Sequence, residues 1–244
     1  LAPWAFVGFV LLSSLLSQLA NLVPFVGALV AMLVNLWGGV GLIRGSWIAL
    51  GGTRPRFEDF TRWNSVAIWR LFSRQLVLVL LLLPIALLLI AVALHAADAW
   101  SVFGPLMNLA LTVDPSDTQL VDASNAAALE LAINFSRSPL ALLTVAIGWL
   151  FALYIQVNQS FLGFIALLEG LNPIATIQRG ISMVQGQWWQ VFGLLILQLV
   201  ILLLGVLALL VGLVAAAPIC LCITGAAYRQ LFGIEDQAGL LRSE

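Results

Sequence analysis

Apolar residues in this chain run on for lengths that exceed a strand or an ordinary core helix. Stretches at about 4–22, 25–43, 76–94, 139–168, 190–210 and 214–231 carry almost no charge. Each reaches the roughly 18 or more residues that can cross a hydrocarbon core of about 30 Å. The pattern predicts an all-α polytopic bundle of six spans arranged as hairpins, in a single integral membrane domain over 1–244. Asn21 and Pro24 mark a tight turn between the first two spans, and Gly212 lies near the turn of the last pair. Pro84 falls inside the third and predicts a kink. The fourth covers about 45 Å at 1.5 Å per residue, so tilt, a kink or an interfacial last turn must absorb the excess.

Between the spans the period changes. Residues 44–74 hold six of the ten arginines, interleaved with Trp47, Phe57, Phe60, Trp63 and Trp69. Rings at a boundary with guanidinium groups toward phosphates describe a segment in the headgroup layer. An interfacial helix is expected over 53–66, with Arg54, Arg56, Arg62, Trp63 and Trp69 as candidate lipid-headgroup residues. Recognition of an anionic lipid and a plain positive-inside anchor are the two readings of it. A second interfacial helix is expected over 116–136, its apolar face formed by Leu120, Val121, Ala128, Leu129, Ala132 and Ile133. Nearby Asp98, Asp114, Asp117, Asp122 and Glu130 match no calcium-loop spacing and read as a solvated face. A third is expected over 172–187: Asn172 is a credible N-cap, and Pro173 suits the first helical position. Ile174, Ile177, Ile181 and Val184 form its stripe, opposite Gln178, Arg179 and Gln185. Arg179, Trp188 and Trp189 extend the interface set.

Composition agrees with this pattern. Of 244 residues, 62% are hydrophobic and only 9% charged, with mean hydropathy +1.10, whereas soluble chains run near half apolar and a quarter charged. No lysine occurs and net charge is −1, so nucleic acid is not an expected partner. Cys220 and Cys222 fall on nearly opposite faces of a helix and read as packing residues. The chain opens without Met, and its first apolar run lacks a basic leader, so that run is expected to be a retained span. With both termini on one side, nine arginines share that side and Arg137 alone lies opposite. The positive-inside rule then places both termini in the cytoplasm and the 95–138 loop outside, in a bacterial inner or internal membrane.

Two features invite chemistry. In the fourth span Gln156, Gln159, Ser160 and Gly163 share a helical face, and amides at that depth need partners. The face is expected to point into the bundle or a polar cavity, as packing or as a site. On the second span Gly38, Gly41 and Gly45 include a Gly-x-x-x-Gly seam that admits a close neighbour. His95, the single histidine, reads as an interfacial polar residue. Trp4 with Gly8, Trp189 with Gly193 and the Trp69 start of the third span hint at repeated hairpins, although tryptophan at helix starts is also a general rule.

Asn172-Pro173, Gln178-Arg179-Gly180, Gly186-Gln187-Trp188-Trp189, Phe192-Gly193, Pro218 and Ala227-Tyr228-Arg229-Gln230-Leu231 form a further pattern. With Gly51-Gly52 and Arg56-Phe57-Glu58-Asp59-Phe60, it resembles uncharacterised six-helix bacterial membrane proteins related to the membrane domain fused to some glycerophosphodiester phosphodiesterases. The resemblance implies the topology and no catalytic residue. One histidine without an acidic metal cluster does not supply phosphodiesterase chemistry.

Three functions fit. A non-enzymatic accessory or assembly subunit would act through lipids and a membrane protein partner or a second copy. A transporter or channel for a small neutral or amphiphilic solute would use the glutamine face. A pigment-binding subunit would draw on His95 or on Asn21, Asn35, Gln75, Gln156, Asn158, Gln159 and Gln198. No cofactor or metal is expected; a pigment or bound lipid is the open alternative. An intramembrane enzyme lacks a triad or a metal-ligand pair on any shared face.

Overall fold

The computed structural model describes residues 3–23, 26–112, 118–208, 211–233 and 236–241. The Pro24 turn, Asp114, Asp117 and Arg242 lie outside the described residues, as does the Leu120 side chain. The fold is all-α. In chain order the helices are α1 (Pro3–Asn21), α2 (Gly27–Leu50), α3 (Phe57–Thr61), α4 (Ser65–Ala96), α5 (Ala99–Thr112) and α6 (Thr118–Arg137). They continue with α7 (Pro139–Asn158), α8 (Leu162–Leu168), α9 (Pro173–Gln185), α10 (Trp188–Leu207) and α11 (Val211–Phe232). Among the described residues six stretches are long and apolar enough to cross a membrane: Trp4–Asn21, Gly27–Leu50, Ser65–Ala96, Pro139–Leu168, Trp188–Leu207 and Gly212–Phe232. The chain is an integral membrane protein.

The differences from the expected boundaries have local causes. The third span begins at Ser65 rather than 76, because Asn64 caps the helix: its Oδ1 accepts the Ala67 N–H at 2.9 Å. The stretch 139–168 breaks between α7 and α8. There the Ser160 hydroxyl donates to the Val157 carbonyl at 2.7 Å and the Gln156 carbonyl at 3.0 Å, a local alternative to the helical ladder. The expected interfacial helix at 53–66 shrinks to the five residues of α3, whose first turn is closed by Asp59 Oδ2 accepting the Arg56 N–H at 2.7 Å. Helix α5 lies within the expected outer loop 95–138; Pro105 sits inside it, its fixed φ compatible with helical backbone. Helices α6 and α9 fall within two residues of their expected bounds.

The chain forms two compact units, one from Leu1–Leu78 with Gln156–Glu244 and one from Val79–Ile155. In the first, α1 packs on α2, α10 on α11, and α11 on α2. Lipid offers no hydrophobic drive between helices, so close packing and hydrogen bonds must hold them. The glycine seam of α2 shows how. It receives Phe60 from the elbow that α3 makes between α2 and α4, and Phe60 is buried there with Phe6 and Phe9. A Cβ at Gly41 would overlap the Phe60 carbonyl oxygen and lie 2.7 Å from Phe9 Cζ, and one at Gly45 would overlap the Phe60 ring. The Phe6 and Phe60 rings meet edge to face at 4.8 Å. Phe60 is therefore a core residue and not an interfacial one. Around Tyr228 a second aromatic core stacks Phe232 at 4.5 Å and Phe164 at 5.6 Å.

The second unit pairs α5 with α6 and sets the later turns of α4 beside α7, with Leu89 and Ile90 facing Val145, Gly148 and Trp149 across a groove. Asp98 turns the chain from α4 into α5 with φ of 49°. On α6 the half-buried stripe is Ala123, Ala127, Leu131 and Phe135, while Val121, Ala128, Leu129, Ala132 and Ile133 are exposed. The apolar face named from the sequence is the outward one.

Two glycines on α2 should respond oppositely to alanine. Gly41→Ala must displace a backbone carbonyl and an aromatic ring, a strain of about 1–3 kcal/mol. Gly39→Ala meets only Leu71 Cδ2 at 3.5 Å and gains helix propensity of up to about 1 kcal/mol. Thermal unfolding in detergent should place Gly41→Ala below and Gly39→Ala at or above the parent Tm.

Candidate functional site

A helix that stops inside a membrane domain leaves carbonyls without partners, and unsatisfied groups there cost several kcal/mol. In the first unit arginines meet this demand. Arg74 on α4 is 1% exposed. Its Nε donates to Thr176 Oγ1 at 2.7 Å, Nη1 to the Arg70 carbonyl at 2.6 Å and Nη2 to the Leu171 carbonyl at 2.6 Å. It thereby ties α4 to the α8–α9 joint. Arg44 on α2, also buried, donates Nη1 to the carbonyls of Asp59 at 3.2 Å and Arg62 at 3.0 Å, pinning the elbow. Arg229 on α11 donates to the Leu50 carbonyl at the end of α2 and lies 4.6 Å over the Trp47 ring. The elements these arginines join gather at one end of the unit. In the same region Glu169 accepts from Tyr228 at 3.1 Å and pairs with Arg179 at 3.4 Å. Within the spans, Gln198 of α10 donates to Thr224 Oγ1 at 2.7 Å and to the Cys220 carbonyl at 3.2 Å of α11.

The four residues expected on one polar face are dispersed by the α7–α8 break. Gln156 is exposed, Ser160 bonds its own helix, and Gly163 packs where a Cβ would lie 2.9 Å from Ile43 Cδ1. Gln159 buries both amide atoms without a hydrogen-bond partner. Three other amides converge instead: Asn21, Asn35 and Gln75 line one cavity of about 530 Å3 between α1, α2 and α4.

The interface set also divides. Arg54 and Arg56 are exposed. Trp69 is exposed on α4 with Phe72 at 5.5 Å, and Trp189 is exposed at the start of α10. Trp188 is half-buried and stacks on Phe192 at 5.3 Å. His95 is exposed at the end of α4. Arg62 and Trp63 line a cavity of about 440 Å3 with Asn64, Arg70, Leu167 and the turn 237–240. Sequence reasoning placed Arg62 and Trp63 at an interface but missed Arg70 and the turn. The available signal was Arg70 and Arg74 at i, i+4 directly after an Asn64 cap; the turn, some 170 residues away, carried none. Among the described residues no three His, Cys, Asp or Glu side chains gather as a metal cluster.

No family model matches this chain, nor does any curated protein or solved structure.

Two substitutions separate structural polar groups from idle ones. Arg74→Met removes three buried donor contacts and leaves the Leu171 carbonyl only the Thr176 hydroxyl at 3.5 Å, a loss of about 2–3 kcal/mol. At roughly 2–4 °C per kcal/mol for a chain of this size, Tm should fall by about 5–10 °C. Gln159→Leu removes a buried amide that bonds nothing, so Tm should hold or rise. Both are read by thermal unfolding in one detergent.

Proposed function

We propose that this chain is a non-enzymatic integral membrane protein serving as an accessory or assembly subunit, through helix–helix and lipid contacts. The observation that carries this reading is the use of the interior polar groups. Arg44, Arg74, Arg229 and Gln198 all end on carbonyls or hydroxyls of their own unit, which leaves these groups engaged in holding helices rather than in chemistry. Pumps and ion-coupled carriers, in contrast, keep ionisable groups within their spans for the transported ion. The arginine-bearing ends fit a cytoplasmic face of a bacterial inner or internal membrane, with both termini on that side. The resemblance to the six-helix family belongs to the same proposal and adds topology, not mechanism.

A second reading, a carrier for a small neutral or amphiphilic solute, draws on the cavity lined by Asn21, Asn35 and Gln75. Carboxamides in an apolar wall bind neutral polar groups without selecting charge.

Nanodisc extraction from native membranes, with mass spectrometry and an absorption spectrum, separates these readings. An accessory subunit should co-purify with a defined membrane protein at fixed stoichiometry, from either partner's tag. Isolation of the chain with lipid alone would overturn that role and favour the carrier, and a visible chromophore would favour a pigment subunit.

A further inference from the structure

We propose that the cavity between the start of α4 and the turn 236–241 binds a phosphate-bearing anion. Its volume of about 440 Å3 suits a phosphate ester rather than a monatomic ion. Two guanidinium groups, Arg62 and Arg70, line it, and among the described residues no carboxylate does. Arg70 is half-buried beside Gly170, whose Cβ would lie 3.5 Å from Arg70 Nη1. Arg74, one turn further on, engages three donor atoms inside the protein. The guanidinium groups of Arg62 and Arg70 donate to no described residue and form no ion pair with one. Guanidinium forks of this kind match phosphate oxygens in pairs.

The cavity is built, not incidental. Its far wall is the turn 236–241, fixed by the Ala238 N–H donating to the Leu168 carbonyl at 2.8 Å. The carboxylate of Asp236 accepts the Leu240 and Leu241 N–H groups, each at 2.9 Å, and is engaged within the turn. On the near wall, Asn64 takes the Ala67 N–H. The first turn of the 32-residue α4 adds its positive dipole end. Exposed Trp63 stands at the rim, where an aromatic ring would border the headgroup layer. A phospholipid headgroup and a soluble phosphate ester share the chemistry this site recognises. The site is independent of the accessory role, since loss of a partner leaves these walls unchanged.

The test uses the full chain, delipidated in a neutral detergent. Native mass spectrometry measures retention of phosphatidylglycerol against phosphatidylcholine, and calorimetry measures binding of inorganic phosphate and glycerol 3-phosphate. The parent should retain phosphatidylglycerol preferentially, or bind the soluble anions, and Arg62→Gln/Arg70→Gln should weaken that binding at least tenfold. Arg137→Gln, a change at an exposed residue of α6 that does not line the cavity, should leave it intact. Should the double variant fail to fold, exposed Arg62→Gln alone should still weaken binding several-fold. Lipid retention without soluble binding assigns the site to a headgroup, and soluble binding without lipid preference assigns it to a free phosphate ester. Absence of both in the parent, or binding indifferent to the arginines, overturns the proposal.

Discussion

The guanidinium of Arg74 is the contact on which the rest of the first unit depends. Two helix ends, the close of α8 and the start of α9, meet beside it, and a membrane domain has no water to satisfy the carbonyls such ends expose. Its donors reach the Leu171 carbonyl in the α8–α9 joint, Thr176 on α9 and Arg70 on its own helix. Arginine suits this task where lysine would not. Its planar fork presents five donors and is weakly hydrated, so burial costs less per hydrogen bond made. Arg44 and Arg229 repeat the device at the elbow and at the end of α2. A chain whose positive charges are all arginine is consistent with a fold that places cations against carbonyls.

This arrangement separates the charges by role. A buried cation facing carbonyl dipoles needs no carboxylate partner, and among the described residues the single ion pair is Arg179 with Glu169. That pair serves Tyr228, whose ring anchors the aromatic core and whose hydroxyl donates to the same Glu169. Arginines already bonded to carbonyls have little capacity left for a ligand. Arg62 and Arg70, whose guanidinium groups donate to no described residue, sit where α4 begins and where a polar cavity opens. The same end of the unit thus holds its structural cations and its binding-competent ones, distinguished by whether a carbonyl lies within reach.

Long, regular features were legible in the sequence: six spans from uninterrupted apolar length, α6 and α9 from capping and period. Features set by distant contacts were not. Phe60 sits among arginines and tryptophans, so its local context reads as interfacial, and only the gap left by Gly41 and Gly45 explains its burial. The Gln156–Gly163 face presumed a continuous helix, and the Ser160 hydroxyl removes that premise by bonding carbonyls within its own turn. On α6 the residues read as the apolar face of an interfacial helix are the exposed ones. In a membrane protein, however, exposed and apolar are compatible, and small residues such as Ala123 and Ala127 take the packed side.

The break between α7 and α8 also explains which neighbours must approach closely. Irregular backbone at membrane depth survives only where protein covers it, and Val157, Asn158 and Phe161 are fully buried. Cover at that distance requires neighbours without bulk. Gly180 of α9 supplies it on one side, where a Cβ would stand 3.0 Å from the Asn158 carbonyl oxygen. On α8 itself, Gly163 leaves room for Ile43 of α2. Glycine at these positions follows from the break, since any side chain would push the covering helix outward and expose carbonyls to lipid. Closing the break brings α9 in against α8, which sets Thr176 and the Leu171 carbonyl where Arg74 can reach them. The interrupted helix and the buried arginine are thus two parts of one solution, each requiring the other.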